Sequence, residues 1–113
     1  MIDAAAIGKM KTSAVLVNTA RGKIVDEKAL LEALERRRIA GAGLDVLAHE
    51  PPSMDNPFFA CDNAVVTPHV AWYSEESLEN AMVMGMDEVV SVLGGRRPRY
   101  VVNPQVLWKR KVQ

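Results

Sequence analysis

The chain has 113 residues, of which 49% are hydrophobic and 25% charged, a globular composition that excludes wholesale disorder and holds one marginally stable core at most. Fourteen bases balance fourteen acids, so no overall charge directs the chain to nucleic acid or to a membrane surface. The single cysteine, Cys61, excludes an internal disulfide and points to a reducing compartment, with cytoplasm as the default, and no apolar run reaches the length of a membrane span.

The first eleven residues lack the long apolar stretch of a signal peptide. Ile2 to Met10 reads as a short helix, with Asp3 near its start and Lys9 and Lys11 at its end to suit the helix dipole. Ala14-Val15-Leu16-Val17 is an apolar run too brief for a helix and suits a strand covered on both faces. Asp26 is placed to cap a helix over Glu27 to Arg38, whose inner face carries Ala29, Leu30, Ala33 and Leu34. Ile39 to Val46 reads as a second buried strand, with Gly41 and Gly43 open to close approach by a neighbouring backbone or ligand. Three prolines make Leu47 to Asp62 a surface connection of functional length, and Ala64 to Thr67 is a third strand, closed by Pro68. Ser74 opens a long helix with an apolar stripe of Leu78, Met82, Met86, Val89 and Leu93, stopped by Gly94-Gly95. Arg96 to Val112 is expected to run extended past Pro98 and Pro104. From residue 94 on, Arg96, Arg97, Arg99, Lys109, Arg110 and Lys111 face no acid; without regular aromatic spacing for base stacking they read as a solvated end, and no nucleic-acid partner is expected.

Strands alternating with helices imply right-handed crossovers and a parallel sheet, an α/β fold of about three strands with an unfinished edge. Sites in such sheets lie beyond the carboxyl ends of the strands. Three polar islands fall there: Asn18-Thr19-Ala20-Arg21-Gly22, then Asp45 with Glu50-Pro51-Pro52, then Thr67-Pro68-His69. Arg21 offers a planar fork able to grip a carboxylate. The imidazole of His69 can both give and take a proton, as exchange with a hydroxyl or carbonyl requires, and Glu50 is a carboxylate able to fix its tautomer. A histidine with an orienting acid and an arginine is a reasonable oxidoreductase set. His49, Glu50, Cys61 and His69 match no compact zinc spacing, so no metal is expected, and there is no Gly-x-Ser-x-Gly elbow for serine hydrolysis.

The string Ala14 to Gly22, with Ile24-Val25-Asp26 and Ala29-Leu30 behind it, resembles the signature of the D-isomer-specific 2-hydroxyacid dehydrogenases. Gly43 to Val46, Glu50-Pro51-Pro52 and Thr67 to Ser74 extend the likeness, which runs from about Ile2 to Asn103. Trp72-Tyr73-Ser74 is similar to the branch holding phosphoglycerate dehydrogenase-like enzymes and C-terminal-binding corepressors. The resemblance implies hydride transfer between NAD and a small 2-oxo or 2-hydroxy acid, with NADP not excluded. Arg21 would bind the substrate carboxylate, His69 would be the acid/base and Glu50 would hold it. Thr19, Ala20, Arg21, Asp45, His69, Val70 and Ala71 would line the nicotinamide end of the cofactor, with Asp45 receiving a carboxamide bond. It also implies the C-terminal half of a Rossmann-type doubly wound sheet, a partial NAD-binding domain over 1–73 followed by a long helix and extended basic tail over 74–113.

The glycine-rich turn that would hold a pyrophosphate has no counterpart here, and Gly41-Ala42-Gly43 opens no helix. The expectation is therefore a carboxyl-terminal portion of a dehydrogenase. It would work as a homo-oligomer or with a complementary N-terminal half, and its stripe of methionines and valines would favour self-association. A non-catalytic fragment or interaction module, either a split subunit or a corepressor-like one, is the alternative.

Overall fold

A computed structural model describes residues 1–108; Lys109, Arg110 and Lys111 of the expected basic tail lie outside the described residues. The chain divides into two compact units, Met1–Trp72 and Tyr73–Gln113.

The first unit is built on three parallel strands, β1 (Val15–Asn18), β2 (Gly41–Leu44) and β3 (Ala64–Val66), in the order β1-β2-β3. Register pairs Val15 with Gly41 and Asn18 with Leu44, then Ala42 with Ala64 and Leu44 with Val66. Before β1 lies α1 (Ala4–Gly8), shorter than the expected Ile2 to Met10. Asp3 caps it by accepting the Ala6 N–H at 2.8 Å, while Ile2 is drawn off into a parallel bridge with Val25. The strand-to-strand connection contains α2 (Glu27–Glu35), which ends before the expected Arg38 as the chain turns through Arg37 at φ 51°. Non-glycine residues rarely adopt this left-handed conformation, and Arg37 is tied there to Asp62 by an ion pair of 2.6 Å.

Asp26 caps α2 as expected, its carboxylate accepting the Ala29 N–H at 3.1 Å. Replacing Asp26 with alanine is expected to cost about 1 kcal/mol in urea unfolding, the usual worth of a lost cap. Leu30 and Leu34 on this helix are fully buried, each contributing roughly 1.5–3 kcal/mol of burial. They pack with Ile7, Leu16, Val25, Ile39, Ala42, Leu44 and Phe58 in a core along one face of the sheet.

The expectation that β1 is covered on both faces is overturned. Leu16 and Asn18 are buried, whereas Val15 and Val17 are 62% and 68% exposed, and Val65 of β3 is exposed as well. Three short strands and two helices supply enough apolar surface to cover one face only. Gly41 meets its expected close neighbour, since a Cβ there would lie 2.9 Å from the Asn63 carbonyl oxygen; at Gly43 the nearest atoms, the Val17 methyls at 3.7 Å, are in ordinary contact.

In the second unit α3 (Glu75–Leu93) starts in a capping box, with Ser74 Oγ accepting from Ser77 N–H and Ser77 Oγ accepting from Ser74 N–H. It ends at Gly94, with Gly95 in the left-handed region at φ 75°. Its stripe of Met82, Met86, Val89 and Leu93 is exposed. The segment beyond is not uniformly extended: Pro104–Trp108 forms a short 3-10 turn, and Arg99 folds back to pair with Glu88 at 3.1 Å. Two glycines and two prolines break the α-helix there without preventing a tighter local turn.

Candidate active site

Because the strands are parallel, their carboxyl ends share one edge of the sheet, and the three segments that follow them gather there. Asn18, buried at the end of β1, folds the first segment around its amide, which donates to the Arg21 carbonyl at 3.0 Å and accepts from the Ala20 N–H at 3.1 Å. This leaves Thr19 and Ala20 at the surface and directs Arg21 outward, its guanidinium donating to the Ala20 carbonyl.

Asp45 follows β2 and is only 5% exposed. Its carboxylate accepts the Thr67 hydroxyl at 2.5 Å and the backbone N–H groups of Val70 and Ala71, each at 2.9 Å. Its carbonyl oxygen accepts the His69 N–H at 2.9 Å. One residue thus holds the whole Thr67–Ala71 segment. Burial alone would raise the Asp45 pKa, but the donors from Thr67, Ala71 and Val70, helped by His69, pull it below the ordinary 3.8. A carboxylate has about four acceptor positions, so one remains for a further donor.

His69 sits in the left-handed region at φ 57°, a conformation held by the Asp45 contacts and characteristic of functional positions. Its Nδ1 lies 2.8 Å from Glu50 Oε2, and the other Glu50 oxygen accepts the Leu47 N–H at 2.9 Å. The Glu50 pKa falls below its ordinary 4.5, first through the His69 hydrogen bond and then through Leu47, with a smaller pull from the Arg21 charge. An ionised carboxylate can only accept, so Nδ1 carries the proton and Nε2 is left for chemistry. The Glu50–Pro51 peptide bond is cis.

Beside the pair lies a cavity of about 290 Å³, walled by Leu47, Pro51, Pro52, Phe59 and Val66, with Asp45, Glu50, Thr67 and His69 as its polar groups. That volume suits a small ligand. His49 is exposed, and among the described residues no three metal-ligating side chains come together. No helix among the described residues is long and apolar enough to cross a membrane.

Both carboxyls are depressed, so the folded state binds fewer protons than the unfolded chain, and their stabilisation is complete above their ordinary values of 3.8 and 4.5. It is lost as pH falls through the lower folded values. Stability to urea is expected to decline from about pH 5 towards pH 3, with a shallower slope in Glu50→Gln. An unchanged slope would show that Glu50 carries none of it.

Three contributors escaped the sequence reading. Gly22 passes so close to the Leu47–Ala48 peptide that a Cβ would lie 2.0 Å from the Leu47 carbonyl carbon. Glu27, which reads only as a first-turn acid, accepts the Ala48 N–H at 2.7 Å. Thr67 reads only as part of a motif, yet its hydroxyl binds Asp45. No local spacing signals any of them, because each acts on a segment about twenty or more residues away.

A parallel sheet that gathers a carboxylate-bound histidine, a buried aspartate and an arginine at its strand ends is an open α/β arrangement with its polar groups at the edge where such sheets bind ligands. Residues 1–71 match the model of the D-isomer specific 2-hydroxyacid dehydrogenase NAD-binding domain. The chain belongs to that family, and its sheet is part of a Rossmann-type fold. It is 48% identical over 104 residues to a glycerate dehydrogenase of Methylorubrum extorquens, covering 90% of this chain and 33% of that protein. Among solved structures it is similar to a D-lactate dehydrogenase with NAD+ from Lactobacillus jensenii (TM-score 0.78, 37% identity, 90% of this chain and 34% of that one). It is also similar to an NADPH-dependent glyoxylate/hydroxypyruvate reductase from Sinorhizobium meliloti in complex with NADP and sulfate (TM-score 0.79, 29% identity, 90% and 33%). The chain spans about a third of the length of the relatives it matches.

Proposed function

We propose that this chain supplies the catalytic edge of an NAD-dependent D-2-hydroxyacid dehydrogenase, the reading carried by the 2.8 Å Glu50–His69 pair at the ends of parallel strands. Arg21 binds the carboxylate of a 2-oxo acid through its forked donors. His69, held by Glu50 at Nδ1, donates from Nε2 to the carbonyl oxygen as C2 is reduced, and takes the proton back in the reverse direction. The small volume beside the pair and relatives named for glycerate, glyoxylate, hydroxypyruvate and lactate support a short substrate.

The residues present fit one end of the cofactor. Asp45 has acceptor capacity left for an amide, Val70 and Ala71 are bonded to its carboxylate, and Thr19 and Ala20 lie exposed just after Asn18, whose carbonyl accepts the Asp45 N–H. When bound, the nicotinamide supplies the hydride. No residues here form a glycine-rich pyrophosphate turn, so these contacts alone hold the cofactor weakly. The working protein is proposed to be cytoplasmic and to join this edge to a complementary N-terminal half or to further copies.

The test is NADH oxidation with glyoxylate and hydroxypyruvate, using the chain mixed with the complementary two thirds of the Methylorubrum relative. Turnover that depends on this chain supports the proposal; none, with both parts folded and associated, defeats it. A second reading, a non-catalytic interaction module, is favoured by the exposed apolar residues of α3. It predicts that Arg21→Ala and His69→Ala leave every phenotype of the gene unchanged.

A further inference from the structure

The Leu47–Ala48 peptide is gripped from two sides. Gly22 lies against it so closely that no side chain could intervene, and from the start of α2 the Glu27 carboxylate accepts the Ala48 N–H at 2.7 Å. One peptide earlier, across the Leu47 Cα, the Leu47 N–H donates to Glu50 Oε1, and the other Glu50 oxygen meets His69 Nδ1. The contacts therefore run from Glu27 to the Ala48 N–H, along the backbone of Leu47 to its own N–H, and from there to Glu50 and the imidazole.

We infer that Glu27 is a positioning residue that fixes the Leu47–Glu50 turn and thereby sets the geometry and tautomer of His69. The inference takes its catalytic meaning from the dehydrogenase reading above. A first-turn acid would earn its place merely by facing the helix dipole, but that role needs no partner. Here the carboxylate reaches 21 residues along the chain to a half-buried N–H. If Glu27 is withdrawn, that N–H loses its acceptor, the turn loosens, and Glu50 no longer meets Nδ1 at a fixed distance. The imidazole is then free to redistribute its proton between the two ring nitrogens.

The test is the ¹⁵N ring spectrum of neutral His69 in the 113-residue chain, in which the shifts of the two ring nitrogens report the tautomer ratio, with Glu50→Gln as the reference for a lost carboxylate. Glu27→Asp keeps the first-turn charge but shortens the reach by one methylene, and Glu27→Gln keeps the acceptor oxygen without the charge. Under the proposal, Glu27→Asp lowers the ratio of Nδ1-protonated to Nε2-protonated ring by at least about fivefold, the worth of one ordinary hydrogen bond, and Glu27→Gln restores it. If Glu27→Asp retains the parent ratio, or if Glu27→Gln loses it as fully as Glu27→Asp, the acid serves the helix dipole and the inference is overturned. Glu27→Ala is a third variant, and should it fail to fold, the other two carry the test. The readout needs neither cofactor nor turnover, so the dehydrogenase reading can fail in its own assay without touching this result.

Discussion

Alanine at Gly22 is expected to destabilise the Met1–Trp72 unit by about 3 kcal/mol or more, at the upper end of what overpacking costs. The reason is geometric. A Cβ at that position would lie 2.0 Å from the Leu47 carbonyl carbon and 2.2 Å from the Ala48 nitrogen. Both are backbone atoms, so no rotamer change relieves the clash; either the Arg21 turn or the Leu47–Glu50 turn must move. With total stabilities commonly about 5–15 kcal/mol, such a loss leaves little margin in so small a unit. Urea unfolding followed by circular dichroism measures it, and a loss under about 1 kcal/mol would show that the two turns do not pack as described. Gly8 is a control on the same chain, because a Cβ there meets nothing within 4 Å.

The second large effect concerns His69. In the dehydrogenase assembly proposed above, His69→Ala is expected to lower kcat by about 10²–10⁴, the span that general acid–base catalysis contributes. Under the proposed function the loss falls on kcat, with little change in KM, because the proton moves in the transition state whereas Arg21 is the group proposed to grip the substrate carboxylate. Arg21→Ala is expected to raise KM as well. Stopped-flow measurement of the NADH signal separates the two, and a His69→Ala enzyme with unchanged kcat would remove the imidazole from the mechanism.

The alternation of strands and helices, the Asp26 cap and the start and stop of α3 were legible because each is written in neighbouring residues: an apolar run, an oxygen-bearing cap, a pair of glycines. The approximate meeting of Arg21, Glu50 and His69 was also legible, since parallel strands bring their ends to one edge whatever the details. Other features were not. Val15 and Val17 read as core because a four-residue apolar run is equally compatible with one or two covered faces. The fold-back of Arg99 onto Glu88 depends on a contact across eleven residues, and the left-handed backbone at His69 depends on Asp45, which lies in another segment. The role of Gly22 follows from how near two turns come, a distance that no local pattern encodes.

The contacts that define the site share a property with consequences for how it comes into being. Glu50 to His69 closes 19 residues, Glu27 to Ala48 closes 21, and Asp45 to Thr67 closes 22. Each bond pays the entropy of closing its loop before it returns anything, and each depends on β1, β2 and β3 already lying in register. A slip of one residue in β2 would turn Asp45 towards the opposite face and leave Thr67, Val70 and Ala71 without their common acceptor. Helix and apolar collapse need none of these closures, so the placement of the imidazole is expected to follow them as the chain folds.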